Sequence, residues 1–191
     1  MILRLSYTPQ QLEVFFNYPP ESKYIIITKG RRFGATKGAA NACIEWAAEG
    51  NKILWGDTVN ANIDRYFSRY IEPELRKSEI PYNWSGQKKE LQILDGYIDF
   101  RSADRPENWE GFGYDKIILN EAGIILKDSY LYTNAVLPML LDYPDSKLFA
   151  LGVPKGKTIK GQKHIFYQLW ENGTLIEDPK YYCKQFSSYD N

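Results

Sequence analysis

The stretch from Tyr24 to Ala40, YIIITKGRRFGATKGAA, decides the reading of the whole chain. Tyr24 to Thr28 is a short continuous apolar run, the kind that fills a strand buried on both faces of a parallel sheet. It leads into a loop with glycines at 30 and 34. That loop opens an alanine-rich helix, expected from about Thr36 to Glu49 and stopped at Gly50. Strand, glycine-bearing loop and helix N-terminus in this order form an anion cradle, because backbone N–H groups and the helix dipole converge on one point. Against the phosphate-loop pattern G-x-x-x-x-G-K-[ST], Gly34 and Thr36 take the last glycine and the hydroxyl position, but Ala35 stands at the lysine position. Lys29, Arg31, Arg32 and Lys37 crowd cationic charge into the segment. A displaced arginine or lysine, Arg31 or Arg32 first, is expected to stand in for the absent lysine, and Thr36 to offer its hydroxyl to Mg²⁺. The plain alternative is a glycine turn with solvated charges.

A second constellation strengthens the first. Lys116 to Leu119 is another buried-type strand, and it delivers Asn120 and Glu121 at its carboxyl end, where a Walker B motif belongs. The strand-end acid of that motif orders a metal shell, and the following glutamate polarises the attacking water. Glu121 retains the second role; Asn120 replaces the usual aspartate and contributes a carbonyl oxygen without charge. Taken alone, the segment also reads as a buried strand capped by polar residues.

The remaining chain alternates strands and helices. Thr8-Pro9-Gln10-Gln11 has the capping-box signature of a helix start. Lys52 to Trp55, Lys147 to Leu151 and Tyr181 to Phe186 read as strands; Asn60 to Ser78, with a kink at Pro73, Tyr130 to Leu141, and His164 to Glu171 read as helices. Leu91 to Leu94 and Tyr97 to Phe100 flank Asp95-Gly96, a type I′ hairpin signature. The pattern predicts an α/β P-loop NTPase: a central, mostly parallel β-sheet flanked by helices, with a β-hairpin insertion and ligands at the carboxyl ends of the strands. Trp46, Trp55 and Trp170 are expected in packing roles, and His164 at the surface or at a helix start.

Bulk properties narrow the class. The chain has 191 residues, a length suited to one domain spanning 1–191. Its 24 basic and 24 acidic residues cancel, so any nucleic-acid contact must come from a local cluster. The two cysteines, Cys43 and Cys183, fit neither a zinc site nor a disulfide framework. No apolar run is long enough to span a bilayer and no signal peptide is evident, so no membrane partner is expected and the reading is of a soluble intracellular domain. Lys155, Lys157, Lys160 and Lys163 crowd a glycine-containing loop and suit contact with a phosphate backbone; a solvated flexible loop is the bland reading.

Taken in order, these pieces resemble the N-terminal ATPase domain of the large terminase subunit, the DNA-packaging motor of tailed bacteriophages. The resemblance rests on the proline-glutamine segment, on Gly30-Arg31-Arg32-Phe33-Gly34-Ala35-Thr36, and on Ser102-Ala103-Asp104-Arg105-Pro106-Glu107-Asn108. It extends through Ile118-Leu119-Asn120-Glu121-Ala122-Gly123 and Gly152-Val153-Pro154-Lys155-Gly156, and so covers nearly the whole chain. It implies ATP and Mg²⁺ as cofactors, nucleotide contact from Gly30 to Lys37, metal contact from Thr36 and Asn120, and an adenine-reading role for Gln10 or Gln11, with Gln11 as a capping-box partner in the competing reading. It implies Glu121 as catalytic base and an arginine delivered to a neighbouring subunit. The usual register of that arginine is Glu110-Gly111 here, so Arg105 or Arg101 is the candidate, a loop-fixing role for Arg105 being the alternative. Val153 stands where a small hydroxyl residue normally couples hydrolysis to motion. The implied partners are double-stranded DNA, further copies of the chain in a ring, the portal protein and the small terminase subunit, in the host cytoplasm at the procapsid portal. The family's nuclease domain has no room here, so the sequence is expected to be a fragment. A nucleotide-binding module with little or no hydrolysis and a helicase-like P-loop ATPase remain as alternatives.

Overall fold

A computed structural model describes residues 3–30, 33–109 and 113–187. The chain opens with α1 (Pro9–Phe15), β1 (Tyr24–Lys29), α2 (Ala35–Ala48) and β2 (Lys52–Asp57). Next come α3 (Asn60–Tyr66), α4 (Glu72–Lys77), β3 (Tyr82–Ser85), β4 (Glu90–Ile93) and β5 (Gly96–Ser102), then β6 (Lys116–Asn120), α5 (Ala122–Ile125), α6 (Ser129–Leu131) and α7 (Leu137–Asp142). The remainder is β7 (Lys147–Gly152), the small hairpin β8 (Thr158–Ile159) and β9 (Gln162–Lys163), α8 (Ile165–Thr174) and β10 (Tyr181–Phe186).

The main sheet runs in the order β10-β1-β7-β6-β2-β5-β4-β3. From β10 to β5 all pairings are parallel, and β4 and β3 extend the edge antiparallel. The apolar runs behave as doubly buried strands should. Ile25 and Ile27 enter the core layer beneath α1 to α4, while Tyr24 and Ile26 enter the opposite layer beneath α5 to α8. Ile53 and Trp55 divide from Leu54 in the same way, as do Ile118 from Ile117 and Leu119, and Phe149 and Leu151 from Leu148 and Ala150. Successive side chains of a strand point to opposite faces, so a parallel sheet covered on both sides needs apolar residues at every position.

Both long helical segments widen ahead of a proline. Residues 67–71 and 132–136 form π-helical turns, each placing a proline at the start of the following helix. Glu72 N–H bonds the Phe67 carbonyl and Leu137 N–H bonds the Tyr132 carbonyl, five residues back. A proline ring clashes with the carbonyl four residues earlier and donates no bond; widening the preceding turn accommodates it.

One expectation is corrected. The expected Asp95-Gly96 turn is shifted by one: Ile93 pairs with Gly96, so Leu94 and Asp95 form the tight turn and Leu94 adopts the left-handed conformation (φ 51°). Gly96 is needed for a different reason, since a Cβ there would lie 2.2 Å from the Ala47 carbonyl oxygen and 2.7 Å from that of Asn51. The expected hairpin is present, with β4 and β3 carrying the sheet on from β5, which pairs with β2. Because the obstacle at Gly96 is backbone, Gly96→Ala is expected to destabilise the protein by about 1–3 kcal/mol, read from the urea midpoint at unchanged slope.

Candidate active site

The carboxyl ends of β1, β7, β6 and β2 lie side by side. Thr28 pairs with Gly152, Asn120 with Leu151 and Gly56 with Leu119. Gly152 and Gly123 let β7 and α5 approach closely: a Cβ on Gly123 would come within 2.1 Å of the Val153 carbonyl oxygen, and one on Gly152 within 2.7 Å of the Gly123 nitrogen. This contact draws the β7 end against the segment that follows Glu121.

Above this edge lies a cavity of about 450 Å³ lined by Lys29, Gly34, Thr36, Lys37, Glu121 and Lys155, among others. One wall is the start of α2. Gly34 is left-handed (φ 74°) and caps the helix with no side-chain hydrogen bond. The first N–H groups of a helix have no partner within it, so this end presents donors and the positive end of the helix dipole. Gln11 holds the turn from behind, accepting from Thr8 N–H (3.0 Å) while donating to the Gly34 carbonyl (3.0 Å). The capping-box role is therefore present, and the same side chain also buttresses the loop. Phe33 is buried and stacks on Phe186 at 4.5 Å between centroids, pinning the loop to the sheet edge. Gly30 N–H donates to the Phe186 carbonyl. Ala35, only 2% exposed, belongs to the core, and Arg31 and Arg32 lie outside the described residues.

The opposite wall is Glu121. Its backbone is left-handed (φ 68°), which is uncommon for a residue with a side chain and recurs at functional positions. The carboxylate meets the Lys29 ammonium at 2.8 Å, with the two side chains 29% and 10% exposed. Lys29 thus points into the phosphate-loop cavity from the strand end, a placement the sequence reading did not single out among the four loop cations. Lys37 is paired with Glu74 of α4 at 2.6 Å.

Between these walls runs a buried polar chain. Thr36 Oγ1 donates to Asn120 Oδ1 (3.1 Å), and Asn120 Nδ2 donates to Asp57 Oδ2 (2.8 Å). Asn120 and Asp57 are fully buried. The Tyr66 phenol sits against Asn120; burial, then the Asp57 and Glu121 carboxylates, push it above its ordinary pKa. Asp57 was missed in the sequence reading, where the strand ending at Trp55 carried no functional weight. The available signal was its place as the polar residue closing a buried parallel strand.

The oxygens of Thr36 and Asn120 are hard donors of the kind Mg²⁺ takes together with nucleotide phosphates. Among the described residues no group of three His, Cys, Asp or Glu side chains could hold a metal ion.

Other predicted residues are spread out. Arg105 is exposed and lies outside the cavity lining. Arg101 fixes loops, donating to the carbonyls of Asn108, Lys88 and Phe100. Glu110 and Gly111 fall outside the described residues. The lysine cluster divides: Lys155 lines the cavity, Lys157 lies over the Tyr167 ring, Lys163 pairs with Glu171, and Lys160 occupies the tip of the β8–β9 hairpin with φ 50° ahead of Gly161. His164 is a helix start as expected but not at the surface; it is 2% exposed, its ring bonded to the Phe166 N–H and the Gly123 carbonyl.

Gln11→Ala is expected to cost about 1–2 kcal/mol, from loss of a cap and of the bond to the loop. Gln11→Glu keeps the capping half alone and should fall between wild type and Gln11→Ala in chemical denaturation.

No protein-family model matches the sequence, and no curated protein resembles it closely enough to count as a match. Solved structures do. The ATPase domain of the large terminase of Thermus phage P74-26 superposes with TM-score 0.73 at 18% identity, covering 98% of this chain and 88% of that one. The large terminase of a second, thermophilic bacteriophage in complex with ADP gives 0.77 at 15% identity, and its complex with ATP-γ-S gives 0.71 at 16%; each match covers 97% of this chain and 46% of that one. This chain therefore spans about half the length of that second terminase. No helix among the described residues is long and apolar enough to cross a membrane. The α/β architecture built around the β1–α2 loop is the P-loop NTPase fold of phage large-terminase ATPase domains.

Proposed function

We propose that this chain is the ATP-binding and ATP-hydrolysing domain of a viral DNA-packaging motor. The observation that carries the reading is Glu121, a carboxylate held by left-handed backbone across a cavity from an uncapped helix N-terminus and ion-paired to Lys29 at 2.8 Å. The thermophilic-phage large terminase of this fold has been solved with ADP and with ATP-γ-S, which supports the nucleotide as ligand.

In this reading the amides at the start of α2 take the β- and γ-phosphates, and Lys29 supplies the ammonium that Ala35 cannot. The chemistry needs a cation near the phosphates, whatever its place in the sequence. Thr36 and Asn120 would hold Mg²⁺ on the protein side, and the ion would supply positive charge against the phosphates when bound. With no phosphate bound, Lys29 occupies Glu121; transfer of Lys29 to the phosphates frees the carboxylate to accept a proton from water. Gln11 keeps the loop in shape from behind. Arg105, exposed and outside its own cavity, suits delivery to the nucleotide of a neighbouring copy in a ring. Lys160 on its hairpin tip is the exposed cation best placed for the backbone of double-stranded DNA, while Lys155 belongs with the nucleotide. The portal protein, the small terminase subunit and a place in the host cytoplasm at the procapsid follow from the same assignment. Cleavage of DNA is assigned to no residue of this chain.

Phosphate release by assembled protein tests the reading. Glu121→Gln is expected to lower kcat by about 10²-fold or more while leaving ATP-analogue affinity within about threefold. Lys29→Ala is expected to weaken that affinity by about tenfold or more, the scale of a lost charge-assisted bond. Bound nucleotide with no turnover by the wild type in an assembled ring would favour a non-hydrolysing module.

A further inference from the structure

We propose that Asp57 is a positioning residue for the metal side of this site, fixing the amide of Asn120 so that its carbonyl oxygen faces Thr36. The inference rests on the nucleotide reading above and deepens it. Every hydrogen-bond partner of the Asp57 carboxyl group among the described residues is a donor, so both of its oxygens act as acceptors. Asp57 is fully buried, and each of its oxygens is engaged by donors: Oδ1 by Thr58 N–H (2.7 Å) and Asn62 Nδ2 (3.2 Å), Oδ2 by Asn120 Nδ2 (2.8 Å) and Trp55 Nε1 (3.4 Å). Oδ1 thus organises the turn into α3, and Oδ2 is turned toward β6. Asn120 must give its NH₂ to Oδ2, so its carbonyl points the other way, to the Thr36 hydroxyl at 3.1 Å. That is the only orientation in which an asparagine here can contribute oxygen toward a cation; the reverse would present N–H groups and repel it. The carboxyl group absent from position 120 is then found one strand over, on β2, one hydrogen bond behind the oxygen it orients.

This arrangement makes a specific prediction about exchange. Asp57→Asn puts an amide opposite an amide, and Asn120 can then turn its NH₂ toward Thr36. The swapped pair Asp57→Asn with Asn120→Asp restores one carboxylate and one amide, with the carboxylate now on the Thr36 side. Asn120→Asp alone, although it supplies the usual Walker B residue, sets two buried carboxylates against each other.

The test is calorimetric binding of ATP-γ-S to the full chain, in Mg²⁺ and in EDTA, with thermal melting of each variant alongside. Wild type is expected to gain at least about tenfold in affinity from Mg²⁺, Asp57→Asn to lose most of that gain, and the swapped pair to recover it to within about threefold of wild type. Asn120→Asp alone is expected to fall short of the swapped pair. A folded Asp57→Asn with the full Mg²⁺ gain, or a folded swapped pair no better than Asp57→Asn, overturns the inference. If Asp57→Asn fails to fold, the swapped pair decides alone: recovery of the gain upholds the inference and a folded pair without it overturns it. Failure of wild type to bind in either condition removes the nucleotide reading and this inference with it, an outcome distinct from a wild-type gain that Asp57 does not influence.

Discussion

Parallel pairing of β1, β7, β6 and β2 is the constraint on which the site depends. Parallel strands need crossovers that return over the faces of the sheet, so their carboxyl ends collect at one edge with the loops that follow them. Here that edge gathers Lys29, Val153, Asn120 with Glu121, and Asp57 from segments far apart in sequence. Their mutual register is set by backbone hydrogen bonds alone, and the side chains inherit it. The Gly152–Gly123 contact tightens the arrangement, since a methyl group at either position would meet backbone.

Given that edge, the departures from the familiar phosphate-loop residues acquire a common physical form. A site requires charge at a point in space, and neighbouring strand ends can supply it. Lys29 enters the cavity from the end of β1, one loop earlier than the lysine of the usual pattern. Asp57 stands behind Asn120 from the adjacent strand. In the proposed mechanism both displaced groups serve as the motif residues would. In that proposal the Lys29–Glu121 ion pair holds the phosphate cation and the base together until a ligand separates them.

Much of this was legible in the residues. The apolar runs at Tyr24 to Thr28, Lys116 to Leu119 and Lys147 to Leu151 predicted buried parallel strands, and each is a buried, parallel-paired strand of the main sheet. The capping box at Thr8 and Gln11, the stop at Gly50 and the interruption near Pro73 follow from local stereochemistry, which a sequence states directly, whereas the π-helical turn ahead of Pro138 was not read from it. What was less legible depended on contacts between distant segments. Asp95-Gly96 carries a strong turn signature, yet the turn moved to Leu94-Asp95 because Gly96 is the residue that can lie against the backbone of Ala47 and Asn51. The four lysines from Lys155 to Lys163 are uniform in the sequence and dispersed in space, one in the cavity, two engaged by Tyr167 and Glu171, one at a hairpin tip.

Periodicity, caps and glycine placement act over a few residues, so the residues alone indicated the main buried strands, their parallel pairing under helices on both faces, and a glycine-bearing turn ahead of α2. Contacts across the folded chain brought Lys29 to Glu121, Gln11 to the Gly34 carbonyl, and the Asn120 amide to Asp57. Those partners lie 92, 23 and 63 residues apart. Their meeting is fixed by strand order and register, which no local pattern encodes.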